Sequence, residues 1–151
     1  MERTLAIDVP EERSAFPVLI NHPVAWGDLD AYGHVNNVTY LYYFENARMA
    51  YFNQIGVSEL MEGQKLGPIV GSTDCTYRSP LHHPDTVRIG TRIARIGNAS
   101  FEMQQCMWSE QQQTIVAKCV IGCVYMDYGI GKPCSFPEIL KERVALLESR
   151  S

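Results

Sequence analysis

One long helical period stands in a chain whose other long patterned segments read as strands, and that mixture limits the folds available. From Val38 to Ile55, Tyr40, Tyr43, Phe44, Ala47, Ala50, Tyr51 and Ile55 recur at i, i+3, i+4 and i+7, which predicts a helix. Val38, Leu41, Tyr42, Met49 and Phe52 widen its apolar stripe, so the helix is expected to be wrapped on several sides. Gly56 supplies its C-terminal stop, and Asn36 or Asn37 is a suitable N-cap.

Four strand-like segments follow a mobile-looking connector, Ser58 to Gly67: Ile69 to Tyr77, Thr86 to Ile96, Ser100 to Glu110 and Thr114 to Asp127. In the second, Val87, Ile89, Thr91 and Ile93 alternate with Arg88, Gly90, Arg92 and Ala94, giving a dry face and a wet one. In Val116 to Met126 both parities are apolar except at Lys118, as in a strand covered on both faces. The helix would cover one face; a partner subunit is the simplest cover for the other. Val18 to Trp26 reads as a further strand, its Pro23 suited to an edge or bulge. Residues before Pro17 read as a loosely attached arm. Pro137 to Leu147 reads as a C-terminal helix, spanning 137–148 with its last turn. The expectation is an α+β fold in one domain over residues 1–151: about five antiparallel strands curled around one long helix.

Composition matters chiefly for what it excludes. At 151 residues, 46% hydrophobic and 20% charged, the chain suits a folded globular protein. A net charge of −4 argues against a nucleic-acid binder relying on a basic field. No apolar run approaches the ~20 residues of a membrane helix, and Met1 to Ala15 lacks signal-peptide character. No membrane association and a cytoplasmic location are therefore expected. Cys75, Cys106, Cys119, Cys123 and Cys134 form an odd set without C-x-x-C spacing, which indicates reduced thiols rather than a disulfide framework or zinc ribbon.

The chemistry-bearing residues gather before the helix: Asp28, Asp30, Gly33, His34, Asn36 and Asn37. A carboxylate would lie beside a helix N-terminus, where unpaired N–H groups favour developing negative charge. From spacing alone Asp30 reads equally as an ordinary turn aspartate, and Asp28 reads as structural. Asp28, Asp30 and His34 imitate a metal cluster only weakly, and no metal is expected. His34 also has an ordinary packing reading, and His82-His83 reads as an exposed turn. Glu45 falls about 12 Å along the helix at 1.5 Å per residue, too far to share the helix start, and is expected to pair with Arg48.

Asp28-Leu29-Asp30-Ala31-Tyr32-Gly33-His34-Val35-Asn36-Asn37-Val38-Thr39-Tyr40 resembles the D-x-D-x-x-G-H-V-N-N-x-x-Y signature of hotdog-fold acyl-CoA thioesterases, the 4-hydroxybenzoyl-CoA thioesterase-like group. Tyr77-Arg78-Ser79-Pro80-Leu81, Arg95 to Phe101 and Gly131 to Pro137 resemble later pieces of the family pattern, in the family's order. The resemblance implies a sheet wrapped on the helix, and a homodimer or homotetramer with sites at the subunit interface. It also implies an acyl-CoA substrate and no cofactor. Asp30 would be the catalytic carboxylate, as general base or nucleophile, and the backbone N–H of Asn37 would hold the thioester carbonyl.

Gly33, His34, Tyr40, Arg95 and Ser100 are the candidate substrate contacts. Arg88, Arg92, Arg95, Lys118 and Lys132 are candidate cations for the coenzyme A phosphates, although Asn98-Ala99 stands where many family members have Arg or Lys. A non-catalytic acyl-CoA or lipid-binding hotdog module is the alternative. A hotdog hydratase would need an Asp-His dyad in a motif absent from this sequence.

Overall fold

The computed structural model describes residues 4–150. Strands β1 (Val18–Pro23), β2 (Leu66–Tyr77), β3 (Thr86–Ile96), β4 (Ser100–Ser109) and β5 (Thr114–Asp127) form an antiparallel sheet in the order β1-β3-β4-β5-β2. The two-residue β6 (Lys132–Pro133) pairs with the end of β5. Helix α1 (Asn37–Ile55) lies in the curl of this sheet, as expected for a hotdog fold. Strands β3 and β5 have the limits their sequence pattern predicts. The connector after α1 is instead partly ordered as a short helix, α2 (Val57–Met61), that buries Val57. Helix α3 (Glu138–Glu148) buries Leu140, Val144 and Leu147, and its Arg143 donates to the Ile55 carbonyl at 2.8 Å, satisfying an orphan acceptor at the end of α1.

Tyr40, Tyr43, Phe44, Ala47, Tyr51, Phe52 and Ile55 of α1 are buried against the inner faces of β3, β4 and β5. The helix is not wrapped all round: Val38, Tyr42 and Met49 form an exposed strip along it.

The N-terminal segment departs further from expectation. Ala6, Val9 and Phe16 are buried on the outer face of the sheet, against Cys106, Trp108, Ile115 and Val120. Phe16 meets Trp108 edge to face at 5.8 Å and occupies space left by Gly90, where a Cβ would lie 2.6 Å from its ring. The second cover over β5 is thus, in part, the chain's own arm. It also accounts for Lys118, 1% exposed, whose ammonium donates to the carbonyls of Val9 (2.9 Å) and Ile7 (3.3 Å) and pairs with Glu11 at 3.0 Å. A buried ammonium needs such partners, and the arm provides them.

Candidate active site at the helix start

Between β1 and α1 the chain forms a loop closed by its own backbone. Leu29 bridges Val35, Asp30 N–H donates to the His34 carbonyl at 2.7 Å, and Gly33 N–H donates back to the Asp30 carbonyl at 3.1 Å. Gly33 has φ +80° with no atom near where a Cβ would stand, so glycine is needed there for conformation rather than space. Val35 N–H donates to the Leu81 carbonyl at 2.9 Å, tying the loop to the segment after β2.

The two carboxylates of this loop have different tasks. Asp28 Oδ2 accepts from Ala25 N–H at 2.9 Å and from the Tyr43 hydroxyl, fastening the loop to the helix behind it. Burial and the adjacent Asp28 carboxylate hold the Tyr43 hydroxyl well above the usual phenol range, so it remains a donor. Asp30 Oδ1 accepts from Tyr32 N–H at 2.8 Å and His34 N–H at 3.3 Å. Its Oδ2 takes no hydrogen bond among the described residues. One oxygen is therefore anchored and the other is available.

Asn36 is the N-cap, with extended backbone and a side-chain oxygen that accepts from Val38 N–H at 2.9 Å. Asn37 follows as the first helical residue; among the described residues its N–H has no partner, as expected for an orphan donor of the first turn. Its carbonyl accepts from the Tyr77 hydroxyl at 3.4 Å. Asn37, Tyr40, Tyr77, Arg78 and Ser79 line an open recess of about 320 Å³. Tyr40 lends it a ring wall, while its hydroxyl donates to the Ser79 carbonyl (3.1 Å) and accepts from Leu81 N–H (2.9 Å). Burial raises the Tyr40 and Tyr77 hydroxyls above their ordinary values, so both stay neutral. Edge to face at 5.1 Å, the two rings brace each other.

His34 meets His82 edge to face at 4.9 Å, and the His82 ring nitrogen lies 3.4 Å from the Gly33 carbonyl. The His82-His83 turn is exposed, as its sequence suggests, yet it packs directly on the Asp30 loop. Arg78 was missed by sequence reasoning. Its partner Glu11, at 3.0 Å, lies 67 residues away in a segment without periodicity.

Arg95 and Ser100 lie apart from this group. They line a different recess of about 510 Å³ with Gly71, Ser72 and Gly122, sharing no residue with the first. The Arg95 guanidinium is held by Glu102 at 3.0 Å and by the Thr4 hydroxyl at 3.2 Å. Lys118, buried under the arm, drops out as a phosphate ligand. Arg48 donates to the buried Gln105 at 3.2 Å rather than pairing with Glu45, since Gln105 also binds the Phe44 carbonyl and Thr91 and so fixes an acceptor beside the helix. Met49, Phe52, Val57, Met61, Ile69 and Val70 enclose most of an apolar pocket of about 270 Å³ between α1, α2 and β2. Among the described residues no three His, Cys, Asp or Glu side chains are placed to hold a metal ion.

The family model described as the thioesterase-like superfamily matches residues 24–144. The chain is 27% identical over 129 residues to the acyl-CoA thioesterase YbgC of Haemophilus influenzae, covering 84% of this chain and 90% of that one. It is 26% identical over 116 residues to the long-chain acyl-CoA thioesterase FadM of Escherichia coli, covering 77% and 88%. Among solved structures, a thioesterase of Thermus thermophilus, crystallised with coenzyme A and Zn, superposes with a TM-score of 0.79 at 33% identity over 91% of this chain and 98% of that one.

Proposed function

Belonging to the thioesterase-like superfamily, the chain is a thioester hydrolase, and we propose that it cleaves an acyl-CoA to the free acid and coenzyme A at the Asp30–Asn37 turn. One observation carries this reading: a carboxylate with one oxygen anchored and one unpartnered among the described residues, and a helix-start N–H unpaired among them, sit at the two ends of a single glycine-closed turn. Asn37 N–H, aided by the helix dipole, would hold the thioester oxygen as negative charge develops on it. Asp30 Oδ2 would activate water, or attack the carbonyl to give an anhydride that water opens. After a single turnover in heavy-oxygen water, label in Asp30 with unlabelled acid product identifies the second route with water opening the anhydride at the Asp30 carbonyl.

Gly33 and His34 shape the turn, Tyr40 forms the wall, and Arg78 supplies a cation at the recess. Arg95 and Ser100 belong to this site only if the substrate, or a second subunit, spans the two recesses. Strand β2 ends the sheet and exposes Ile69, Val70 and Tyr77 along its length; it is the edge through which a homodimer or homotetramer would form. The apolar pocket beneath it suits an acyl chain. Among the described residues no helix is long and apolar enough to cross a membrane.

The test is release of free thiol across a panel of acyl-CoAs. Wild type is expected to turn over at least one member, and Asp30→Asn to lose about two to four orders of magnitude in kcat at unchanged fold. Binding without release by the wild type would favour the non-catalytic module instead.

A further inference from the structure

Cys75 of β2 and Cys119 of β5 are register partners, and both side chains pack into the inner-face core. Just beyond them Arg78 N–H donates to the Val116 carbonyl at 2.8 Å, continuing the register that pairs Tyr77 with Ala117. Bonded and non-bonded pairs alternate along an antiparallel ladder. Arg78–Val116 is a bonded pair, Thr76–Lys118 is the next, and Cys75–Cys119 falls on a non-bonded one. Opposed residues at such a pair have Cα atoms about 4.5 Å apart, inside the ~4.4 to 6.8 Å that a disulfide spans.

The other cysteines lack this relation. Cys106 is opposite Gly90 and Lys118, Cys123 is opposite Val70 and Phe101, and Cys134 lies beyond β6. We propose that Cys75 and Cys119 are a peroxide-oxidisable dithiol, a modification site in which the half-buried Cys75 of the edge strand reacts first and the buried Cys119 behind it closes a cross-strand disulfide.

The surroundings favour that order. The neighbouring Cys119 and then Tyr77 hold the Cys75 thiol below its ordinary range, against the opposing effect of burial. Cys119 is raised by its neighbour Cys75 and by burial. Burial pushes Cys106 up to about 12 and Cys123 up to about 11. Thiolate character, and with it reactivity toward peroxide, is thereby concentrated at Cys75. The Cys75 thiolate attacks a peroxide oxygen, the O–O bond breaks, and the departing hydroxide is protonated to water, leaving a sulfenic acid. The Cys119 sulfur then attacks the sulfenyl sulfur, the S–O bond breaks, and a second water leaves with the Cys119 proton. Two thiols and one hydrogen peroxide give one disulfide and two waters. The bond would form two residues before Tyr77, next to the recess yet using none of the groups assigned to hydrolysis, so this inference holds or fails independently of that assignment.

The experiment treats the full-length chain with hydrogen peroxide, blocks remaining thiols with an alkylating reagent in denaturant, and maps tryptic peptides without reductant. The expected result is a peptide containing Cys75 joined to the one beginning at Cys119, two hydrogens lighter than the separate thiols and released by reductant. Fragmentation between Cys119 and Cys123 assigns the sulfur. Cys119→Ser should stop the reaction at a Cys75 sulfenic acid that a dimedone probe captures. Three results would overturn the proposal: a Cys75 that remains alkylatable after treatment, a link from Cys75 to any other cysteine, or a Cys75 link between two copies of the chain.

Discussion

Two clusters of charged and polar groups, one under the N-terminal arm and one at the helix start, differ in what is left unsatisfied. Under the N-terminal arm, Glu11 binds both Arg78 and Lys118, and Lys118 also binds two arm carbonyls. At the helix start, Asp30 keeps one oxygen unpartnered and Asn37 keeps its N–H unpaired among the described residues. Both clusters centre on a carboxylate. Under the arm the Lys118 ammonium and the Glu11 carboxylate are already engaged, and only Arg78, which also borders the recess, can face a ligand; at the helix start the carboxylate and the N–H themselves can still meet a substrate.

The largest expected effect breaks this comparison if the two carboxylates prove interchangeable. Asp30→Asn should remove about two to four orders of magnitude of thiol release with little change in the urea midpoint. Glu11→Gln should do the reverse, lowering the midpoint while kcat stays within a fewfold of wild type. Matching losses of kcat in both variants would mean that the arm, and not only the turn, belongs to the chemistry.

Lys118→Met comes next. It removes the buried ammonium and leaves the Ile7 and Val9 carbonyls without their donor, at about 1–3 kcal/mol for a buried polar group left unsatisfied. The loss should be read by urea unfolding, with the arm cut faster by protease. An unchanged midpoint would make the arm an ornament on the sheet.

The same contrast explains what the sequence disclosed. Alternation at Val87, Ile89, Thr91 and Ile93 defines β3, because its inner face alone is packed on α1. The doubly apolar pattern around Val120 announces a second cover for β5, but not its source. Ala6, Val9 and Phe16 lie in short irregular turns with no period to detect, and nothing in the residue type shows that Lys118 would be buried. The turn was legible because local chemistry builds it: Gly33 for its positive φ, Asn36 for the cap, Asp30 for the Asx bonds. Arg78 was not, because its partner is distant in sequence. The separation of Arg95 and Ser100 from Asp30 was hidden for the same reason, being set by which strands adjoin.

A smaller effect tests whether the turn depends on its cap. Asn36→Ala removes the acceptor for Val38 N–H and should cost about 1 kcal/mol of stability. Because the freed N–H is one residue from Asn37, the change should also lower kcat, through a less ordered donor at the helix start. A loss of stability with kcat untouched would separate the cap from the oxyanion site.

The smallest effect concerns pH. Arg78 first and Lys118 next lower the Glu11 carboxyl from its ordinary 4.5 to about 2. A carboxylate depressed by folding contributes stability that is fully present above its unfolded value, and that contribution is lost as pH falls through the folded one. The arm should therefore loosen between about pH 4.5 and 2. Because Glu11 is half exposed, water and salt screen the pair and the change is modest. In Glu11→Gln the acid limb of the stability profile should be shallower over that interval, and added salt should reduce the difference from wild type. If the two profiles run parallel, the Glu11 carboxylate is bound no better in the folded chain than in the unfolded one, and the arm is held by Phe16, its apolar neighbours and the Lys118 bonds to Ile7 and Val9.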